Sequence, residues 1–323
     1  MTSTTQTALA SRPAVSGGLL VLLAAVGFSA KAVLVKLAYA YSPKLDAITL
    51  MSLRMLLSLP VFLTVALWSQ RNGKYARLTS HELLVVAALG VLGFYLAGYL
   101  DFAGLSYISA GLERLTLFLY PTLVVIFSAL FFGRPMTRRE RIALVLSYLG
   151  IALVLSYLGI ALVFGSKAVA YSPQLLLGTA LVFGAALSFA LYLLISGRYV
   201  QRIGSTRLTA YVMSSACVAT AIHFAVTHHG VAALELPLPV YGITIVMAIF
   251  STVIPAFLLN AGMQRIGANS TSIISSVGPV LTLFFAYVLL DETLRAVQFA
   301  GTALVITGVV IVSTRKLTAE GAE

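Results

Sequence analysis

Apolar runs of about 20 residues, the helix length a bilayer demands, follow one another along almost the whole chain. With 60% hydrophobic and 10% charged residues, and a mean hydropathy of +1.00, a soluble domain is excluded. Within lipid every backbone polar group must be satisfied internally, which leaves helices as the spanning element for runs of this length. The runs predict an all-α integral membrane protein with ten spans, at about 17–39, 47–69, 82–104, 108–132, 141–164, 174–196, 206–227, 238–260, 266–290 and 296–313. Connections between them are short, and none is polar enough to form a second, soluble domain. The first eleven residues are polar and precede no apolar leader core, so no cleaved signal is expected.

A net charge of +11 in a soluble chain would suggest nucleic acid. Topology explains it instead. With the N-terminus in the cytoplasm, fourteen Lys and Arg fall on that side, clustered at 71–77, 134–141 and 198–207. Only Lys44, Lys167 and Arg295 fall on the other. The positive-inside rule then puts both termini in the cytoplasm, with tails at 1–16 and 314–323, and no nucleic-acid partner is needed. Ten spans with cytoplasmic ends divide into five and five, at 17–165 and 174–313. Two odd-numbered halves in one chain must be inverted, the arrangement of secondary transporters whose substrate sits between the halves near the midplane.

The sequence carries its own trace of such halves. Ile108–Val154 aligns without a gap on Ile266–Val312, a spacing of 158 residues (266 against 108). The alignment puts Pro121 on Pro279, Ala110 on Ala268 and Gly150 on Gly308, with Ala103-Gly104 on Ala261-Gly262 just upstream. Each copy is a helix rich in small residues, interrupted by proline. Small residues allow close helix approach, and proline frees backbone carbonyls within the membrane. One local repeat stands apart: Ile142–Gly150 recurs unchanged at Ile151–Gly159. We read it as a local duplication rather than a functional device, and it predicts an overlong or tilted fifth helix.

The small-residue helix, central proline, short acidic turn and Gly-bearing final helix, given twice, resemble the drug/metabolite transporter superfamily, and within it the ten-helix EamA-like branch. The second copy carries the pattern in Gly267-Ala268, Pro279 and Asp291-Glu292-Thr293-Leu294. The first departs from it, with Gly133-Arg134-Pro135 at the turn and Ala143 where glycine is usual. The resemblance implies a bacterial inner-membrane, multi-pass carrier of small organic metabolites. It further implies export, with aromatic or neutral amino acids the leading substrates.

Five ionisable residues sit well inside the first-half spans, Lys31, Arg54, Asp101, Glu113 and Arg114, while Lys36 is close enough to a helix end to snorkel. Charges at such depth are costly, so they pair with one another or face a cavity. They form either a structural ion network or a network with one member left for a substrate's carboxylate or ammonium, in which case Glu113 and Arg114 are the candidates. The second half has no charged residue well inside any span, only His223 near an outer end. Tyr95 and Tyr99, four apart, share a face. The resemblance adds Phe118 and Tyr192 to them as cavity-wall positions, against the alternative that such aromatics are packing or interfacial belt. Ser251, Asn260, Ser275 and Ser276 supply neutral hydrogen-bonding groups from the other half. Pro121 and Pro279 are the expected hinges.

Other chemistries lack their residues. There is no phosphate-binding G-x-x-x-x-G-K-[ST], and the lone Cys217 and the pair His228-His229 suggest neither metal nor disulfide. No Ser-His-Asp set can be assembled, so a membrane enzyme or sensor is a distant reading and no cofactor is expected. The nearer alternative is an importer or antiporter of anions such as nucleotide sugars, using Lys31, Arg54 and Arg114. The expected partners are the lipid bilayer and a small-molecule substrate, with the chain a monomer or homodimer.

Overall fold

The computed structural model describes residues 3–71, 78–132, 173–228, 234–275, 277–291, and 299–307 apart from 305, with part of 138–149. Among these residues the fold is entirely helical. α1 (Ser3–Tyr41) and α2 (Ala47–Arg71) are long single helices, α1 starting well ahead of the expected residue 17. The third span is composite: α3 (Ser80–Gly90), a π-helical turn (Val91–Leu96) and α4 (Ala97–Leu105) run on without a break. α5 (Ala110–Leu117) and α6 (Tyr120–Phe132) follow. The second part holds α7 (Pro173–Ile203), α8 (Ser205–Thr227) and α9 (Leu238–Ala248), a second π-helical turn (Ile249–Val253), then α10 (Ile254–Ser275) and α11 (Gly278–Leu290).

Local chemistry sets several of these ends. Thr79 and Glu82 form a reciprocal capping box, Thr79 Oγ1 accepting from Glu82 N–H and Glu82 Oε2 from Thr79 N–H at 2.9 Å. The same carboxylate pairs with Arg202 Nε at 2.9 Å, tying the start of α3 to the end of α7. Ser109 caps α5 by accepting from Leu112 N–H at 3.2 Å. α10 runs straight through 261–265, where the sequence predicts a connection between spans.

The interruptions fall elsewhere. The fourth expected span, 108–132, is two helices parted at Phe118-Leu119, and the ninth is parted next to Val277. Both prolines open the new helix rather than bend an old one: Pro121 is the second residue of α6 and Pro279 the second of α11. A proline in the first turn lacks only an N–H that would be unsatisfied anyway. The 158-residue spacing relates these breaks (118–119 against 276–277), and it also relates the starts of the two π-helical turns (91 against 249). The duplicated segment 142–159, Glu292 and most of the tenth expected span lie largely outside the described residues.

Close packing through glycine repeats as well. α4 meets α7 where Gly104 faces the Gly178 carbonyl and Val182, and α10 meets α1 where Gly262 faces the Gly17 carbonyl and Val21. A methyl at 104 would stand 2.9 Å from the Gly178 oxygen, and one at 262 would stand 3.0 Å from the Gly17 oxygen. Backbone cannot yield as a side chain can. Gly104→Ala and Gly262→Ala are each expected to cost about 1–3 kcal/mol, read as a lower melting temperature in detergent. Gly197→Ala, with nothing within 4 Å, is the control that leaves it unchanged or higher.

Six helices among the described residues are long and apolar enough to cross a membrane: Gly17–Tyr41, Ala47–Ser69, Ser80–Leu105, Pro173–Val200, Ser205–Thr227 and Leu238–Gly262. Their outer faces present large apolar side chains, among them Leu19, Leu23, Leu57, Leu67, Trp68, Leu84 and Ile222. On a soluble monomer this much exposed apolar surface would drive association; in a bilayer it is the solvent-facing side. The interior is filled by Met51, Met55, Phe62, Phe102, Met213 and Met247, with the Cys217 thiol donating to the Met55 carbonyl.

Candidate functional site

Four helices bring the ionisable residues together. Lys31 on α1 pairs with Asp101 on α4 through Asp101 Oδ2, and its Nζ lies 3.7 Å from Glu113 Oε1 on α5. Asp101 is 2% exposed and Glu113 fully buried, while Lys31 keeps a small opening to its surroundings. Both carboxyls thus face the one ammonium of Lys31, from two different helices. Even so, Asp101 Oδ1 and both Glu113 oxygens receive no hydrogen bond.

The two arginines behave differently. Arg54 on α2 is buried, with its guanidinium carbon 4.6 Å from the centre of the Phe102 ring, a cation–π contact in place of a carboxylate. Arg114 is half-buried and reaches across the bundle to the break before α11. A side chain at position 278 would meet Arg114 Nη2 at 3.0 Å, so glycine there admits the guanidinium. Its Nε has no hydrogen-bond partner. Ser29 fastens the same corner, its Oγ 3.1 Å from the Gly278 carbonyl, and Thr282 Oγ1 donates to the Ser29 carbonyl at 3.2 Å. Lys36, close enough to a helix end to snorkel, instead donates to the Leu105 carbonyl at 3.2 Å.

The aromatic candidates divide into two groups. Tyr95 and Tyr99 share a face of the composite third span, but they meet through His223 of α8 rather than by stacking on each other. Tyr95 Oη is 2.9 Å from His223 Nδ1, and the Tyr99 and His223 rings sit edge to face at 5.0 Å. His223 was visible in the sequence as the titratable residue within a second-half span; its two partners were not. Phe118 and Tyr192 are core. Phe118 is buried edge-on to Tyr120, and Tyr192 fills the space over Gly93 against Phe94 and Phe189.

Two of the neutral polar candidates are engaged in packing. Ser251 Oγ donates to the Gly27 carbonyl at 3.0 Å, and Asn260 donates to Thr209 Oγ1 and to the Ala256 carbonyl. Ser275 is half-buried at the end of α10, beside the break, and Ser276 lies outside the described residues. His228 pairs with Asp46 at 3.5 Å. No group of three or more metal-ligating side chains occurs among the described residues.

Six apolar helices of membrane length among the described residues, with two further segments parted at equivalent places and ionisable groups gathered beside one of the breaks, define a multi-pass membrane protein. The chain belongs to the EamA-like transporter family, whose model matches it twice, over residues 15–156 and 176–314. It is 30% identical over 306 residues to the uncharacterized transporter YcbK of Bacillus subtilis, covering 92% of this chain and 93% of that one. An uncharacterized transporter of Archaeoglobus fulgidus is 24% identical over 272 residues, covering 84% of this chain and 90% of the other. A solved crystal structure superposes with a TM-score of 0.62 over 97% of this chain and 98% of that chain; at 17% identity this shows the fold alone. The chain is therefore a membrane-embedded transporter of a small-molecule substrate, not an enzyme.

Proposed function

We propose that this transporter is a ten-helix carrier of two inverted five-helix halves, 17–165 and 174–313. Both termini face the cytoplasm of a bacterial inner membrane. It exports small organic metabolites, amino acids with aromatic or neutral side chains first among them, by alternating access. The observation that supports it best is the paired interruption, at 118–119 and beside 277, with Arg114 lying against Gly278 at the start of α11. Discontinuous helices are where carriers of this architecture hold substrate, with helix N-termini facing anionic groups. Arg114 and the head of α11 suit a substrate carboxylate, and Tyr95, Tyr99 and His223 offer an aromatic wall.

The anion reading, with Lys31, Arg54 and Arg114 acting together, has less support. Lys31 is held by Asp101, and Arg54 lies over Phe102. Counterflow in proteoliposomes against a panel of labelled amino acids, without an ion gradient, tests the proposal. Exchange of neutral or aromatic amino acids supports it. Exchange confined to phosphorylated or dicarboxylic anions favours the alternative.

The hinges are tested in the same vesicles. Because Pro279 opens α11, Pro279→Ala removes the block to one continuous helix from α10, and Pro121→Ala does the same between α5 and α6. Each is expected to lower turnover about tenfold, equivalent to about 1.4 kcal/mol in the barrier, with expression maintained. Full turnover in both variants rules the hinges out.

A further inference from the structure

The buried carboxyl pair does something the substrate reading does not require. Asp101 and Glu113 come from different helices, α4 and α5, and both are withdrawn from solvent. Lys31 supplies the nearest positive charge, with a hydrogen bond to Asp101 and a longer contact to Glu113. If both carboxyls are ionised, two negative charges share the one ammonium in contact with them in a low-dielectric interior. Three oxygens then lack a donor: Asp101 Oδ1, Glu113 Oε1 and Glu113 Oε2. Each unsatisfied buried oxygen carries its full desolvation penalty. One proton changes all of this. A proton on either carboxyl turns an unpaired acceptor into a donor, and the triad of Lys31, Asp101 and Glu113 becomes electrically neutral.

We propose that Asp101 and Glu113 together hold one proton at rest and that this proton is exchanged for substrate during the transport cycle. The carrier is then proton-coupled. On release, the Glu113 O–H bond breaks and the proton passes to water. Both carboxyls are left ionised against Lys31, and the extra negative charge draws on the cations around the pair, Arg114 and Arg54, or on a rearranged bundle. Carboxyl pairs that share a proton titrate as a unit, so the site belongs to both residues.

The charged and titratable groups around the pair come from several elements. Lys31 projects from α1 and Arg114 from α5 itself, and Arg54 from α2 and Tyr39 from α1 act on Asp101. α11 holds no Asp, Glu, Lys or Arg, and those of α7, Arg198 and Arg202, stand near its far end. Lys31, the member that keeps some exposure, links the pair to whatever fills the transport path. Protonatable carboxyls inside a membrane are the usual carriers of such coupling.

This inference rests on the carrier reading, and two experiments separate their failures. The first needs no substrate: infrared difference spectroscopy of the purified wild-type protein during a pH titration. It is expected to show the carbonyl stretch of a buried protonated carboxylic acid at neutral pH, lost in Glu113→Gln and shifted in Asp101→Asn. A neutral-pH spectrum without that band, in wild-type protein, overturns the proposal.

The second uses wild-type proteoliposomes and an amino acid that passes the counterflow test, with a pH gradient imposed at zero membrane potential. One-for-one exchange of a proton for a neutral substrate is expected to give about tenfold accumulation per pH unit, and none in Glu113→Gln. Exchange that ignores the gradient in wild-type vesicles sinks the coupling while leaving the carrier intact. Absence of exchange across the whole panel counts against the amino-acid reading, and the infrared result then still decides whether the pair holds its proton.

Discussion

Lys31→Met is expected to be among the most destabilising single substitutions in the described bundle, costing about 3–5 kcal/mol as a fall in melting temperature in detergent. The cause is what the lysine leaves behind. Asp101, 2% exposed, loses its ion pair and the hydrogen bond from Lys31. Glu113 loses its nearest cation. A buried charge without its partner costs far more than the pair contributes, so the double variant Lys31→Met with Asp101→Asn is expected to recover most of the loss. If the double variant is no more stable than the single one, the triad is not held together by charge.

The second large effect concerns recognition rather than stability. Arg114 is half-buried, its Nε has no hydrogen-bond partner, and it lies against Gly278 at the head of α11. Hydrogen bonds to a charged group contribute about 1.5–3 kcal/mol. Arg114→Gln is therefore expected to raise KM for a carboxylate-bearing substrate by about 10- to 150-fold. The amide analogue of the same substrate should be affected much less. Arg114→Lys keeps the charge but loses the planar fork, and falls between them. Equal losses for the acid and its amide would remove Arg114 from substrate recognition.

The sequence was most informative where physics is local or collective. Apolar runs of bilayer length and the coincidence of Pro121 with Pro279 need no knowledge of how helices pack. The interruptions were visible as prolines, but their form was not. A proline in an apolar run reads equally well as a kink or as the first turn of a new helix, and contacts such as Ser29 with Gly278 accompany the second. The connection expected at 261–265 is helical instead. Gly262 packs against the Gly17 carbonyl, and Asn260 satisfies its amide on Thr209, so helix continues where composition alone suggested a turn.

Pairing across the bundle was the least legible layer. Five ionisable residues could be named, but which of them meet depends on the rotation of each helix about its axis. A hydrogen bond between Tyr95 and His223, 128 residues apart, lies beyond any local pattern. The same holds for Ser251 and Asn260. Small or amide-bearing and polar at depth, they read as substrate contacts; Ser251 donates to Gly27 of α1, and Asn260 donates to Thr209 of α8 and to Ala256 of its own helix.

The two π-helical turns have a consequence for how such a chain can vary. A π turn holds one residue more than the α turn it replaces, and one residue is about 100° of helical rotation. Every side chain of α4 therefore points where it does because of a single surplus residue between Val91 and Leu96, and α10 owes its orientation to another between Ile249 and Val253. Deleting one residue in the first turn would leave composition and hydropathy almost untouched. It would also swing Asp101 away from Lys31 and Gly104 away from Gly178 in a single stroke. Length, at these two places, is as tightly constrained as identity.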